Sequence, residues 1–195
     1  MARAQDPHEP PNHLPIPTDD GAADHLQGMR LPPVALASTA GEAVDLSALS
    51  RRTVVYCYPM TGRPGGDLPR GWDEIPGARG CTPQSCSFRD HHAELQALGT
   101  RVFGLSTQDT EYQSEAVGRL HLPFQLLSDA ELAFAGALGL PTFEVEGTVL
   151  LKRLTLVIDD GRIEKVFYPV FPPDKSAAEV VEWLERQNVE RVGDG

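Results

Sequence analysis

The chain has 195 residues, enough for one domain with a substantial core, and its formal net charge is −11. This charge argues against nucleic acid or an anionic membrane as a partner, and no uninterrupted apolar run is long enough to span a bilayer. Three cysteines cannot close a disulfide framework. The polar, proline-rich N-terminus lacks the apolar core of a signal peptide, so we expect a reducing cytoplasm, where a disulfide is more often catalytic than structural.

The first 27 residues are rich in Pro, His and Asp and show no periodicity. We predict that residues 1–27 form an extension that is flexible or draped over the surface, with Ile16 and Leu26 as candidate anchors. Residues 28–195 then form the domain itself.

Strand and helix patterns alternate through this domain. Runs of β-branched, aromatic and other apolar residues predict strands at Val34–Ala37, Ala43–Leu46, Thr53–Tyr58, Val102–Ser106, Phe124–Leu127, Lys152–Asp159 and Arg162–Phe167, with a hairpin or extended arm over Thr142–Val149. Helices are predicted from Thr82 to about Gly99, from an Asp109 cap to Leu120, from a Ser128 or Asp129 cap to Leu138, and from Ser176 to Gln187. These elements predict an α/β domain with a mixed sheet, without separating it from other small α/β folds.

The stretch Gly80–Asp90 reads G-C-T-P-Q-S-C-S-F-R-D and contains two of the three cysteines, Cys81 and Cys86. Thr82 as an N-cap and Pro83 as the first helical residue predict that a helix begins here. Cys81 would then lie at or just before the helix N-terminus, where free N–H groups and a positive partial charge favour a thiolate over a thiol.

The spacing of the two cysteines bears on how they could react. Residues five apart in a helix rise about 7.5 Å and turn about 140°, which leaves their Cα atoms roughly 8–9 Å apart, beyond the reach of a disulfide. A bond between Cys81 and Cys86 would therefore require the first turn to unwind. Such a pair suits a redox cycle, but two unrelated cysteines, one in a helix and one on a loop, fit the spacing equally well.

The motif G-C-T-x-x-x-C-x-F-R-D resembles that of the Q-type peroxiredoxins, also called bacterioferritin-comigratory proteins, and the resemblance extends from about Met29 to Trp183. It implies a thioredoxin-like fold, with a central mixed β-sheet flanked by helices, and an atypical 2-Cys thiol peroxidase. By this resemblance, Cys81 is the peroxidatic cysteine that hydrogen peroxide or an organic hydroperoxide converts to a sulfenic acid. Cys86 is the resolving cysteine that joins it in an intramolecular disulfide. The resemblance also implies thioredoxin or a similar dithiol as reductant, a monomer, and no cofactor or metal.

An arginine late in the chain is the third candidate site residue. Period-two alternation places Arg153 on the strand face opposite Leu154. By resemblance, Arg153 stabilises the thiolate and polarises the peroxide, and the alternative is a strand-end arginine paired with a carboxylate. The chain departs from the family at Ala78, where peroxiredoxins carry a Thr or Ser whose hydroxyl orients the peroxide, and Thr61 and Arg79 are candidate replacements.

The loop from Thr61 to Arg79 is long for a strand-to-helix connection and contains several Gly and Pro residues. Trp72 and Ile75 are its apolar anchors and could fold it over the site. A tolerated surface insertion is the alternative.

The remaining cysteine and two histidines receive other interpretations. Cys57 lies in a dense apolar strand, and we interpret it as a small buried core residue. His91 and His92 are interpreted as a solvated helix face, and a zinc site is the alternative. Two other functions stay open: a thiol–disulfide oxidoreductase acting on protein disulfides, which the absence of Cys-x-x-Cys weakens, and a non-catalytic zinc or interaction module.

Overall fold

The computed structural model describes residues 13–193, with side chains through residue 190. Within this range a seven-stranded sheet and a two-stranded arm are accompanied by five α-helices. The strands are β1 (Ala35–Ser38), β2 (Ala43–Asp45), β3 (Thr53–Cys57), β4 (Arg101–Ser106), β5 (Leu126–Ser128), β6 (Thr142–Val145), β7 (Thr148–Leu151), β8 (Leu154–Asp159) and β9 (Arg162–Phe167). The helices are α1 (Cys81–Asp90), α2 (His92–Ala97), α3 (Thr110–Leu120), α4 (Ala133–Leu138) and α5 (Ser176–Gly193).

The large sheet has the strand order β2-β1-β5-β4-β3-β8-β9. Its centre is mixed, because β3 runs parallel to β4 and antiparallel to β8. The β4–β5 pair is also parallel, whereas β1 pairs antiparallel with both β2 and β5, and β8 with β9. The predicted α/β class with a mixed sheet is confirmed. The predicted hairpin arm is also present, as the antiparallel pair β6–β7.

Each face of the sheet carries its own core, as strand alternation requires. On one face Tyr56 and Val157 pack with apolar residues of α1, α3 and α5. On the other, Cys57 and Leu154 pack with residues of α4 and of the N-terminal segment. The sheet therefore separates the side chain of Cys57 from α1, the helix that carries Cys81.

The described part of the N-terminal segment is attached to this second core. Of its two candidate anchors, Leu26 is fully buried, whereas Ile16 is 68% exposed. The amide of Gly28 donates to the carbonyl oxygen of Ile163 at 2.8 Å, which ties the segment to β9. Residues 1–12, the remainder of the predicted extension, lie outside the described residues.

The start of α1 differs from the prediction. Thr82 was expected to be the N-cap, but Gly80 has that position and Cys81 is the first helical residue. Gly80 has φ 106°, in the left-handed region that favours glycine, and no side chain caps the helix. The predicted single helix to Gly99 is also wrong, because α1 ends at Asp90 and α2 begins after His91.

Two other helix boundaries show how caps act here. Asp109 caps α3 as predicted, with its carboxylate accepting from the amide of Tyr112 at 2.7 Å. Helix α4 begins later than predicted, at Ala133, and Asp129 is not its N-cap residue. The side chain of Asp129 instead bonds to amides within the helix. Its two carboxylate oxygens accept from the amides of Phe134 and Ala135, at 3.0 and 2.8 Å. The last helix continues to Gly193, beyond the predicted end at Gln187.

We expect Gly80→Ala to destabilise the protein by about 2–5 kcal/mol, since left-handed backbone costs roughly 1–2 kcal/mol and overpacking roughly 1–3 kcal/mol. A Cβ at this position would overlap Cγ of Pro173. Gly41→Ala is the matched control, because Gly41 has φ 87° but no atom within 4 Å of the added Cβ. Urea unfolding of both variants measures the difference, and equal losses would show that the Pro173 contact has no effect.

Candidate active site

Cys81 lies in the first turn of α1 and is 4% exposed. Nη2 of Arg153 donates to its Sγ across 3.1 Å, and the carbonyl oxygen of Ala78 lies 3.7 Å from the same sulfur. A thiol can make both contacts, as acceptor from the guanidinium and donor to the carbonyl. A thiolate keeps the first contact, in which the positive guanidinium attracts the negative sulfur. The site therefore offers a cation directly to the sulfur.

The guanidinium of Arg153 is held by neutral acceptors. It is 3% exposed and donates through Nε to Gly77 O at 3.3 Å, and through Nη2 to Ala78 O and Arg79 O at 3.1 and 3.2 Å. Nη1 donates to the side-chain oxygen of Gln84. These acceptors fix the plane of the guanidinium without neutralising its charge, so the charge remains available to the sulfur.

Gln84 is a site residue that sequence analysis missed. It is fully buried, and besides accepting from Arg153 it donates through Nε2 to Ser176 Oγ at 3.2 Å. Ser176, the first residue of α5, is also 3.3 Å from the hydroxyl of Thr155. Gln84 therefore links α1, the residue before β8, and α5. The available signal was its position three residues after Cys81, which places the two side chains on one helix face.

The backbone of residue 78 is part of the site, although its side chain cannot orient a peroxide. The methyl group of Ala78 is buried in a small apolar cluster, while its carbonyl accepts from Arg153. The side chains of Thr61 and Arg79, the two candidates to replace the missing hydroxyl, bond to other residues. The Thr61 hydroxyl donates to Gln108 at 3.2 Å, and the Arg79 guanidinium pairs with Asp73 at 3.1 Å.

The long loop between β3 and α1 is packed rather than loosely attached. Trp72, in a short 3-10 turn, is buried and packs with Val145 and Leu150 of the β6–β7 arm. Its ring centroid lies 6.1 Å from that of Phe143. Ile75 packs against the same cluster and lines the cavity that borders Arg153. The loop thus positions the three carbonyls that hold the arginine.

Cys86 lies in the second half of α1 and is half-buried. Burial raises the pKa of its thiol, and the nearby Arg89 guanidinium opposes that shift in part. The structure holds all three cysteines as thiols. Because Cys81 and Cys86 share one continuous helix, helix geometry keeps their Cα atoms roughly 8–9 Å apart, too far for a disulfide.

Cys57 is fully buried on β3, within the core on the opposite face of the sheet from Cys81. Burial raises the pKa of its thiol well above the usual range. An uncharged thiol in an apolar core is a poor nucleophile.

We expect Cys57→Ser to leave turnover within about twofold while lowering the free energy of unfolding by about 1–3 kcal/mol, because it buries a hydroxyl among apolar groups. Urea unfolding and steady-state peroxide consumption by the same preparation measure the two effects. Loss of turnover in a variant that still folds would show that Cys57 takes part in the chemistry.

The two histidines have local partners or packing. Nδ1 of His91 is 2.9 Å from the carbonyl oxygen of Ser87, and the ring of His92 packs at 5.7 Å from that of Phe124. Partial burial lowers the pKa of His92. Among the described residues, no group of three or more His, Cys, Asp and Glu side chains could hold a metal ion. In the same part of the chain no helix is both long and apolar enough to cross a membrane.

A buried cation contacting a cysteine in the first turn of a helix, beside the central strand of a mixed sheet, defines a thiol-based redox protein. Comparison with known proteins agrees. Residues 26–181 match the Redoxin family model. The crystal structure of peroxidoxin BcpB from Mycobacterium tuberculosis is 26% identical with a TM-score of 0.68, over 83% of this chain and 98% of that one.

Sequence relatives narrow the family. Peroxiredoxin Bcp of Escherichia coli is 31% identical over 79% of this chain and 92% of its own length. The chloroplastic peroxiredoxin Q of Oryza sativa subsp. japonica is 33% identical over 82% of this chain, which spans 66% of that relative's length. The chain belongs to the redoxin family, as a peroxiredoxin of the Q type, and the thioredoxin-like fold implied by its motif is confirmed.

Proposed function

We propose that this peroxiredoxin reduces hydrogen peroxide and organic hydroperoxides, with Cys81 as the peroxidatic residue. The observation that carries the proposal is the 3.1 Å contact between Nη2 of Arg153 and Sγ of Cys81 in a buried site. The thiolate attacks the terminal oxygen of ROOH, and an S–O bond forms as the O–O bond breaks. Cys81 becomes a sulfenic acid, and the leaving oxygen takes a proton and departs as an alcohol or water. Arg153 stabilises the sulfur and the developing oxygen charge.

In the second step Cys86 resolves the sulfenic acid. Its sulfur attacks the sulfur of Cys81, an S–S bond forms, and water leaves. Because both residues lie on α1, the bond requires the helix to open over its first turn. Opening also removes part of the burial that raises the pKa of the Cys86 thiol, which makes the attacking thiolate easier to form.

A dithiol protein, for which thioredoxin is the candidate, then returns both cysteines to thiols by disulfide exchange. In the closed helix Cys81 is 4% exposed, so the opened form is the one that a protein reductant can reach. We further propose that the chain acts as a monomer in a reducing cytoplasm, where such a reductant is maintained.

The test is a count of thiols after the reduced, metal-free protein receives one equivalent of hydrogen peroxide. Rapid loss of two thiols, mapped to a Cys81–Cys86 disulfide by peptide mass spectrometry, is the expected result. An enzyme that exchanges protein disulfides would instead react slowly with peroxide and quickly with a disulfide substrate, and that outcome would replace the proposal.

A further inference from the structure

Ser85 lies on the stretch of α1 that must unwind before Cys81 and Cys86 can form a disulfide. It stands between the two cysteines and is fully buried. Its hydroxyl oxygen accepts a hydrogen bond from the phenolic hydroxyl of Tyr56, on the central strand β3, across 3.1 Å. This part of the helix is therefore joined to the sheet by a buried contact between two side chains.

The donor of this hydrogen bond is fixed in place by its aromatic ring. The ring of Tyr56 stacks on that of Phe88, with centroids 4.5 Å apart and planes inclined by 8°, and it meets the ring of Phe124 edge-on at 5.9 Å. Tyr56 is fully buried, and burial raises the pKa of its phenol. The hydroxyl therefore keeps its proton at neutral pH and donates it to Ser85.

This hydrogen bond is separate from the contacts that activate the sulfur. The guanidinium of Arg153 contacts Cys81 and Gln84. The bond from Tyr56 to Ser85 involves none of these three side chains. Its removal therefore changes how strongly the helix resists opening, while the guanidinium stays beside the sulfur.

Opening of α1 breaks this bond and moves Ser85 away, so that the buried phenol loses its acceptor. A buried donor without an acceptor is unfavourable, and the contact therefore stabilises the closed helix relative to the open one. The closed helix serves the attack on peroxide, which needs Arg153 beside the sulfur. It opposes the later attack of Cys86 on the sulfenic acid, because that attack needs the open helix.

We propose that Tyr56 is a positioning residue that acts through Ser85 to hold the helix closed, and that it thereby sets how fast Cys86 resolves the sulfenic acid. The inference rests on the proposed peroxidase function and adds to it a control over the competing reaction. In that reaction a second molecule of hydrogen peroxide transfers an oxygen atom to the sulfenic acid, which gives a sulfinic acid and water. A weaker contact favours the disulfide over the sulfinic acid.

The test measures the rate at which the sulfenic acid becomes the disulfide after the reduced full chain receives one equivalent of hydrogen peroxide, by rapid quenching and mass spectrometry. Tyr56→Phe removes the donor and keeps the ring. We expect it to raise this rate by about two- to tenfold, the factor that one net hydrogen bond represents. The concentration of hydrogen peroxide that over-oxidises half of the protein should rise by a similar factor, while the first reaction with peroxide keeps its rate.

Tyr58→Phe is the matched control for loss of a buried phenol. Tyr58 follows β3 directly, belongs to the same core as Tyr56 and is also fully buried. The polar neighbours of its hydroxyl are Ser106 and Gln113, on β4 and α3 instead of α1. Tyr58→Phe should therefore leave the rate of disulfide formation unchanged.

A second comparison determines whether Tyr56 acts through Ser85. The acceptor is absent in Ser85→Ala, so adding Tyr56→Phe to that variant should change the rate by less than about twofold. An unchanged rate in Tyr56→Phe, an equal rise in Tyr58→Phe, or the full rise in the Ser85→Ala background would each overturn the inference. Failure of the proposed function is a separate outcome, in which wild-type protein keeps its thiols in hydrogen peroxide or stops at the sulfenic acid.

Discussion

Arg153→Met should slow the reaction of Cys81 with hydrogen peroxide at pH 7 by about 10- to 100-fold. The substitution removes a donor that lies 3.1 Å from the sulfur. A charge-assisted hydrogen bond contributes about 1.5–3 kcal/mol, and each 1.36 kcal/mol is a factor of ten in rate. It also leaves the carbonyls of Gly77, Ala78 and Arg79 without the donor that holds them in place.

The measurement is the single-turnover rate with peroxide, together with the rate of alkylation of Cys81 as a function of pH. Arg153→Lys keeps the charge but lacks the planar guanidinium, which contacts the sulfur, the carbonyls and Gln84 together. The single-turnover rate of this variant with peroxide should therefore also fall. Arg186→Met, at an exposed ion pair on α5, is the control for loss of one arginine. Identical alkylation profiles for wild type and Arg153→Met would contradict the role given to Arg153.

Cys86→Ser should abolish turnover with thioredoxin while leaving the first reaction with peroxide intact. Serine cannot attack the sulfenic acid to form a disulfide, so the cycle stops after one equivalent of peroxide. Excess peroxide should then convert Cys81 to the sulfinic and sulfonic acids, which intact-mass spectrometry detects as added oxygen atoms.

The control for Cys86→Ser is Cys57→Ser, which removes a thiol from the opposite face of the sheet. The two variants differ only in which cysteine is lost, so the comparison separates a resolving role from a general effect of losing sulfur. Turnover by Cys86→Ser close to that of wild type would show that another group resolves Cys81.

Local sequence patterns predicted the parts of the fold that local physics determines. The alternation around Leu154 placed the strand faces correctly, because a half-turn per residue is a property of every strand. The turn into β9 is also set by local conformation, since Asp160 and Gly161 have φ of 47° and 67°, as a two-residue hairpin turn requires.

The predicted starts of α1 and α4 were wrong, and at α1 a residue far along the chain is involved. The N-cap of α1 is Gly80 instead of Thr82, and Pro173, far along the chain, packs where a Cβ of residue 80 would be. No local pattern contains that contact. The late start of α4 has a closer cause, because the carboxylate of Asp129 accepts from amides five and six residues further along the chain.

The candidate site was accessible from sequence only in part. The motif around Cys81 and Cys86 was visible, and resemblance added Arg153. The placement of Gln84 between Arg153 and Ser176 needed the structure, since it depends on how α1 meets α5. The cavity beside Arg153 is lined in part by Pro17, Thr18 and Asp20, which belong to a segment whose sequence shows no periodicity.

The coupling between resolution and helix opening can be tested directly by amide hydrogen exchange over residues 82–90, compared between the dithiol and disulfide forms. In the dithiol form this segment lies within α1, and its helical hydrogen bonds should slow exchange. Formation of the Cys81–Cys86 disulfide should remove that protection, at least from Gln84 to Cys86, because the intact helix holds the two Cα atoms too far apart for the bond. Equal protection in the two forms would contradict this result and show that the two sulfurs join without unwinding the helix.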